Sequence, residues 1–136
     1  MTNPEDRPTI SAAIIIKDGK LLLAQRKVKE GSLSWQFPAG EVEVGETAEQ
    51  AAVRETSEEV GLTATAQRLL GERVHPNTGR RMAYVACSIQ SGEAHVADDD
   101  ELADIAWVQP AEVKQYVPYG FAPAVEEHLV AVGFAL

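Results

Sequence analysis

Residues 40–62 read GEVEVGETAEQAAVRETSEEVGL, and this stretch decides how the rest of the chain is understood. Thr47-Ala48-Glu49-Gln50 has the form of a capping box, in which an N-cap threonine accepts from the third helical residue and Gln50 reaches back to it. A helix is expected from there to about Val60, ending at Gly61, a favoured residue just past a helix end. Within it Glu55, Glu58 and Glu59 stand at i, i+3 and i+4 and so share one face, an arc of roughly 100°. Ala48 and Ala51 project into the same arc, and their small side chains leave room for something to approach the acids. Ala52, Val53, Thr56 and Val60 fill the adjoining arc and are expected to face the core.

Three like charges packed this tightly repel one another and weaken the helix that carries them. A merely solvated acidic face is the ordinary explanation of such a run. Here the acids abut the apolar arc, and the opposite positions Gln50 and Ser57 are uncharged. Clustered hard oxygen ligands suit Mg²⁺ or Mn²⁺, and bound cations relieve the repulsion.

On the N-terminal side, Ile10 to Lys17 reads as a buried strand, Asp18-Gly19 as a hairpin turn and Lys20 to Arg26 as the returning strand. Residues 27–34 are polar and contain Gly31, hence a loop. Trp35-Gln36-Phe37 is a short strand ended by Pro38-Ala39-Gly40. On the C-terminal side, Ala64 to Val74 and Arg81 to Ile89 are strands around a turn at residues 76–79. Asp98 to Asp100 is an acidic loop, Ile105 to Val108 a strand, and Pro110 to Gln115 and Pro123 to Val132 are helices. Strands and helices interleave without a regular βαβ period, which predicts an α/β fold with a mixed sheet and helices packed on it.

The chain has 136 residues, 45% hydrophobic and 24% charged, enough for one compact domain over 1–136 and its core. No run reaches the ~18 apolar residues of a membrane span. Residues 1–8 are polar, unlike a signal peptide, and read as a flexible terminus of a cytoplasmic protein. Cys87 is the single cysteine, which excludes an internal disulfide and a cysteine-based zinc site; within an alternating apolar run it reads as a buried structural thiol. The formal charge of −9 at pH 7 argues against a nucleic-acid polymer as partner. An acidic protein acts on phosphates only if cations bridge the two.

The pattern Gly40-x5-Glu46-x7-Arg54-Glu55-Thr56-Ser57-Glu58-Glu59-Val60-Gly61-Leu62 resembles the Nudix box. All seven fixed letters match; with residue frequencies of roughly 7% each, chance gives this at a given start on the order of once in a hundred million. Thr56 departs from the usual aliphatic residue, which predicts slightly poorer packing. Trp35 to Gly40 (WQFPAG) resembles the W-x-F-P-G-G approach to the box in MutT-type members, with Ala39 in place of a glycine.

The resemblance implies a Nudix-type α/β/α sandwich and Mg²⁺- or Mn²⁺-dependent cleavage of a phosphoanhydride. It makes Glu55, Glu58, Glu59 and the backbone carbonyl of Ala39 metal ligands, one of the glutamates also activating water. It pairs Arg54 with Glu46 as a brace between loop and helix. It makes Glu101, in the acidic loop before Trp107, a further acid. Arg26 is a candidate phosphate contact, with Arg80 and Arg81 weaker ones. Gln36 and Phe37 lie where such members meet the nucleotide. Tyr119, with Tyr116 and Phe121, offers an aromatic face to a base, although core packing claims at least two of the three. Pro76, fourteen residues past the box, lies near but not clearly at the position that marks ADP-ribose substrates in the family; His75 beside it is either a cleft residue or, as is usual for a lone loop histidine, an exposed one.

The expected function is hydrolysis of a nucleoside triphosphate, such as an oxidised purine triphosphate, to monophosphate and pyrophosphate. The alternatives are ADP-ribose or another nucleoside-diphosphate conjugate, and a non-catalytic nucleotide sensor. Sensors of this family usually lose box carboxylates, and this chain keeps them all. The expected partner is a small nucleotide, with neither polymer nor membrane, and the protein is a monomer or homodimer.

Overall fold

A computed structural model describes residues 7–30 and 33–136. Among the described residues seven strands and three helices follow in the order β1 (Ile10–Lys17), β2 (Lys20–Glu30), β3 (Leu33–Gln36), β4 (Ala39–Glu41), α1 (Ala48–Val60), β5 (Thr63–Val74), β6 (Arg81–Ser91), β7 (Leu102–Val108), α2 (Val113–Tyr116) and α3 (Pro123–Ala131). The sheet is mixed: β1 runs parallel to β6, while β5 pairs antiparallel with β6, and β3 and β7 antiparallel with β2. One edge of β1 is shared. Its first residues pair with β4, Ala12 opposite Ala39, and its last pair with β2, Ile16 opposite Leu21. β2 and β4 thus divide that edge between them, and the Trp35–Gly40 segment leads from β3, paired with β2, to β4, paired with β1.

Strand side chains alternate between faces, and here both faces are buried. Ala12, Ile14, Leu21 and Leu23 belong to one apolar cluster with Val125 and Leu129 of α3. Ala13, Ile15, Leu22 and Ala24 belong to a second with Ala52 and Val60 of α1. Helices on both faces of a mixed sheet make the α/β/α sandwich that the sequence predicted. Fully burying an aliphatic side chain such as Leu22 or Leu129 is worth roughly 1.5–3 kcal/mol, so the central hairpin and the two covering helices anchor the fold.

Helix α1 begins and ends as read from the sequence. Both halves of the capping box form, Gln50 N donating to Thr47 Oγ1 at 3.1 Å and Thr47 N to Gln50 Oε1 at 2.9 Å. Gly61 closes it at φ 71°. Thr56 is fully buried, and its hydroxyl donates to the Ala52 carbonyl at 2.7 Å, so the polar atom that an aliphatic residue lacks is satisfied within the helix. Ser11 of β1 donates to the Ala48 carbonyl at 2.6 Å, tying the first helical turn to the sheet. Cys87 is buried, and desolvation pushes its thiol up to about 11.

Several sequence-based boundaries are corrected. The loop expected over 27–34 is largely strand: β2 continues to Glu30 and β3 starts at Leu33, with residues 31–32 outside the described range. Backbone bonds to β3 and β7 hold the strand there, including Lys27 N to Glu101 O at 3.0 Å. Ala39-Gly40 does not simply end a strand but forms β4 against β1. Strand β7 starts three residues earlier than expected, and Pro110 to Glu112 is a 3₁₀ turn leading into α2. Ala51 is fully buried, so it packs in the interior rather than leaving space beside the acids. The expectation for residues 1–8 falls mostly outside the described residues.

Candidate active site

The loop between β4 and α1 is gathered around one guanidinium. Arg54 donates from Nε to Glu46 Oε2 at 2.8 Å and from Nη2 to Glu46 Oε1 at 3.0 Å, a two-pronged pair. The same Nη2 reaches the Glu41 carbonyl at 3.0 Å, and Nη1 reaches Glu55 at 2.8 Å and Glu58 at 3.2 Å. The expected brace is therefore present, and the i,i+4 pair with Glu58 is an additional strand of the same network. The guanidinium beside Glu46, helped by the Glu43 amide, holds the Glu46 carboxyl down at about 2. Glu46 and Glu55 in turn hold Arg54 firmly protonated. Gly40 closes the approach: the Glu55 carboxylate occupies the space that a Cβ at Gly40 would fill.

The second fixed point is Glu59, whose side chain is 4% exposed. Arg26 Nη1 donates to Glu59 Oε2 at 2.9 Å and the Ala39 amide donates to Oε1 at 3.1 Å. The other arm of the guanidinium, Nη2, reaches Glu101 Oε2 at 2.9 Å. Glu101 is thereby brought to the site from 75 residues away in the chain. Burial pushes the Glu59 carboxyl up to about 7 against the pull of Arg26 and the Ala39 amide. Burial also raises Glu55, with Arg54 opposing.

These groups line a polar cleft of about 410 Å³ that holds five carboxylates, Glu41, Glu43, Glu55, Glu59 and Glu101, against the arginines Arg26 and Arg80. An excess of acids repels a polyphosphate, and hard carboxylate oxygens are the donor set that Mg²⁺ or Mn²⁺ prefers. The residues thus fit a divalent cation. Among the described residues the three helix acids do not converge on one point. Glu55 and Glu58 turn to Arg54, while Glu59 turns to Arg26, because each anion takes the nearest guanidinium.

Beside the cleft lies an aromatic recess lined by Trp35, Phe37, Tyr84, Tyr119 and Phe121. Gln36, Ala39, His75 and Met82 line both spaces. Phe37 packs on Phe121 with ring centres 4.9 Å apart, and Trp35 meets Tyr116 edge-on at 4.9 Å. Of the three late aromatics, Tyr116 and Phe121 pack against the core, whereas Tyr119 is 68% exposed at the rim.

The structure brings Arg26, Ala39, Glu55, Glu59 and Glu101 to one cleft, with Gln36 at its junction with the recess and Phe37 and Tyr119 in the recess. Glu58 stands at the edge, its side chain 56% exposed. Arg26 is not an open phosphate contact: both its arms are taken by carboxylates. Arg80 is buried, bonded to Glu41 at 3.0 Å and to the Pro8 carbonyl at 2.9 Å, while Arg81 is exposed. Residues the sequence reading passed over are Glu41, Met82 and Arg73. They are placed by the β4–β1 and β5–β6 registers, which no local pattern reveals.

A sheet split at β1, a braced acidic helix and an adjoining aromatic recess define a family as well as a site. Residues 6–128 match the NUDIX domain, and the chain belongs to that family. It is 34% identical over 108 residues to CTP pyrophosphohydrolase of Escherichia coli strain K12, 79% of each chain being covered. In three dimensions it is similar to a NUDIX hydrolase from Nitrosomonas europaea, with a TM-score of 0.72 at 23% identity over 96% of this chain and 93% of that one. It is also similar to MutT from Aliivibrio salmonicida and Vibrio cholerae, with a TM-score of 0.64 at 28% identity over 93% and 96%. Other curated relatives are longer, and the chain spans 30%, 35% and 41% of three of them. Among the described residues no helix is long and apolar enough to cross a membrane.

Proposed function

We propose that the protein hydrolyses a nucleoside triphosphate to the monophosphate and pyrophosphate, in a reaction that requires Mg²⁺ or Mn²⁺. The observation that carries this reading is the adjacency of two unlike spaces. An aromatic recess suits a base, an acid-lined cleft suits cation-bridged phosphates, and Gln36, Ala39, His75 and Met82 form their common wall. A nucleotide laid across that wall has its base among Phe37, Phe121 and Tyr119 and its anhydride over Glu55 and Glu59.

The chemistry starts from an anionic linkage that repels hydroxide, so it needs neutralised charge and an aligned water. Glu55, Glu58, Glu59 and the Ala39 carbonyl would hold a divalent cation, which when bound would supply that neutralisation and acidify water. The chain's own groups set the geometry. Arg54 fixes Glu55 and Glu58 relative to the loop, and Arg26 with the Ala39 amide fixes Glu59. Arg26 also fastens Glu101 to the rim, where it serves as the further acid. Retention of every box carboxylate favours an enzyme over a nucleotide sensor.

The test is release of phosphate and pyrophosphate from a panel with and without Mg²⁺: the four common nucleoside triphosphates, an oxidised purine triphosphate and ADP-ribose. Metal-dependent pyrophosphate release from a triphosphate is the expected result. Turnover confined to ADP-ribose transfers the assignment to diphosphate conjugates, and binding without turnover of any compound transfers it to a sensor.

A further inference from the structure

Three arginines flank the two spaces, and they divide between them. Arg26 and Arg80 line the cleft, each with carboxylate partners at 2.9–3.0 Å. Arg73 lines the recess and not the cleft. Among the described residues Arg73 forms no ion pair, and no carboxylate lines the recess with it. A cation set in a mostly apolar wall, away from the acids that occupy the other two, calls for an acceptor from elsewhere.

Its geometry is fixed by a buried neighbour. Arg73 sits near the end of β5, paired with Met82 of β6. Its Nε donates to the Tyr84 hydroxyl at 3.2 Å, and its guanidinium carbon lies 5.9 Å from the centre of the Tyr84 ring. Tyr84 is 4% exposed and stands edge-on to Phe37, with ring centres 6.5 Å apart. With Nε engaged on Tyr84, the two terminal amino groups are the donors left to a ligand in the recess that Arg73 lines.

We propose that Arg73 selects the nucleobase, favouring a base that presents a carbonyl oxygen beside an unprotonated ring nitrogen over adenine. A guanidinium has donors only, and its fork matches two adjacent acceptors. Guanine offers O6 with N7, and cytosine offers O2 with N3. Adenine sets an amino group beside N1 and N7, so a donor faces a donor and the guanidinium is left desolvated without an acceptor. This inference rests on the recess being the base site, as proposed above, and it concerns recognition rather than the chemical step.

The test is calorimetric binding of GMP, CMP and AMP to the wild-type protein and to Arg73→Met and Arg73→Lys, beside kcat/KM for GTP, CTP and ATP. The wild type is expected to prefer GMP or CMP over AMP by roughly 10-fold or more, the discrimination typical of one good bidentate contact. Preference for GMP identifies the O6/N7 edge and for CMP the O2/N3 edge. In Arg73→Met the ratio to AMP should fall to within a few-fold of unity. Arg73→Lys, a point charge without the fork, should also lose most of it. Tyr84→Phe should weaken the preference partly, by loosening the fork. A wild type that binds AMP as tightly as the others, or an Arg73→Met protein that keeps the wild-type ratio, overturns the proposal. So does an equal loss across all three bases. If base-selective binding is found but no triphosphate is hydrolysed, the proposed reaction fails while the role of Arg73 stands.

Discussion

Arg26 and Glu59 meet across 33 residues of sequence, Nη1 to Oε2 at 2.9 Å, with side chains only 14% and 4% exposed. The pair joins β2, the second strand of the central hairpin, to the acidic face of α1. One counter-charge does not offset the burial of Glu59, which stays raised to about 7. A carboxyl raised above its unfolded value of 4.5 gives stability that is fully present below that value and lost as pH rises through 7. The metal-free protein is therefore expected to lose melting temperature between pH 5 and pH 8, and Arg26→Gln to lose more, since it removes the counter-charge. Cation binding needs the ionised form. Mg²⁺ should therefore raise the melting temperature more at pH 8 than at pH 5.5, and an equal rise at both would contradict the placement of the metal on Glu59.

Glu58 tests the chemistry with little disturbance of the fold. Its contact is an exposed bond to Arg54 at 3.2 Å, of a kind worth about 0–1 kcal/mol. Glu58→Gln should keep the wild-type melting temperature to within a few degrees and lower kcat by roughly 100-fold or more. Wild-type turnover by a folded Glu58→Gln protein would remove the helix acids from the mechanism.

Two glycines ahead of α1, Gly40 in β4 and Gly45 in the loop that follows, should answer differently. A Cβ at Gly40 lands on the Glu55 carboxylate, whereas at Gly45, at φ 83°, it meets nothing within 4 Å. Gly40→Ala is expected to push Glu55 off its position and lower kcat at least tenfold. Gly45→Ala should keep activity and cost about 1–2 kcal/mol of stability from left-handed strain. Urea unfolding beside steady-state kinetics separates the two, and a Gly40→Ala protein with unchanged kcat would show that Glu55 tolerates displacement.

The Glu46–Arg54 pair makes an acid-sensitive brace. Glu46 is lowered from 4.5 to about 2, so its contribution is present above 4.5 and lost as pH falls through 2. The wild type should exceed Glu46→Gln in melting temperature at pH 6, and the two curves should converge towards pH 2. A constant gap over that range would mean that packing, rather than charge, accounts for the effect of Glu46.

Helix α1 was legible because its determinants are local. The cap at Thr47, the stop at Gly61 and the shared face of Glu55, Glu58 and Glu59 all follow from 3.6 residues per turn and from caps within four residues. The hairpin at Asp18-Gly19 was legible for the same reason, both residues taking positive φ. The loop assigned to residues 27–34 failed because cross-strand backbone bonds, not side-chain pattern, hold β2 and β3 together there. Ala39 lay hidden as a strand residue because its partner, Ala12, is in another element.

The amino-acid sequence by itself determined the acidic helix, from residue types at short fixed spacings, and the family, whose resemblance implied the Arg54–Glu46 brace. Tertiary structure alone decided that Arg26 clamps Glu59 and Glu101, that Ala51 is interior, and that Arg73 belongs to the recess while Arg80 belongs to the cleft. Those facts depend on strand register and on which face of the sheet each residue meets. A one-residue shift of register reverses the face, so only the assembled sheet assigns them.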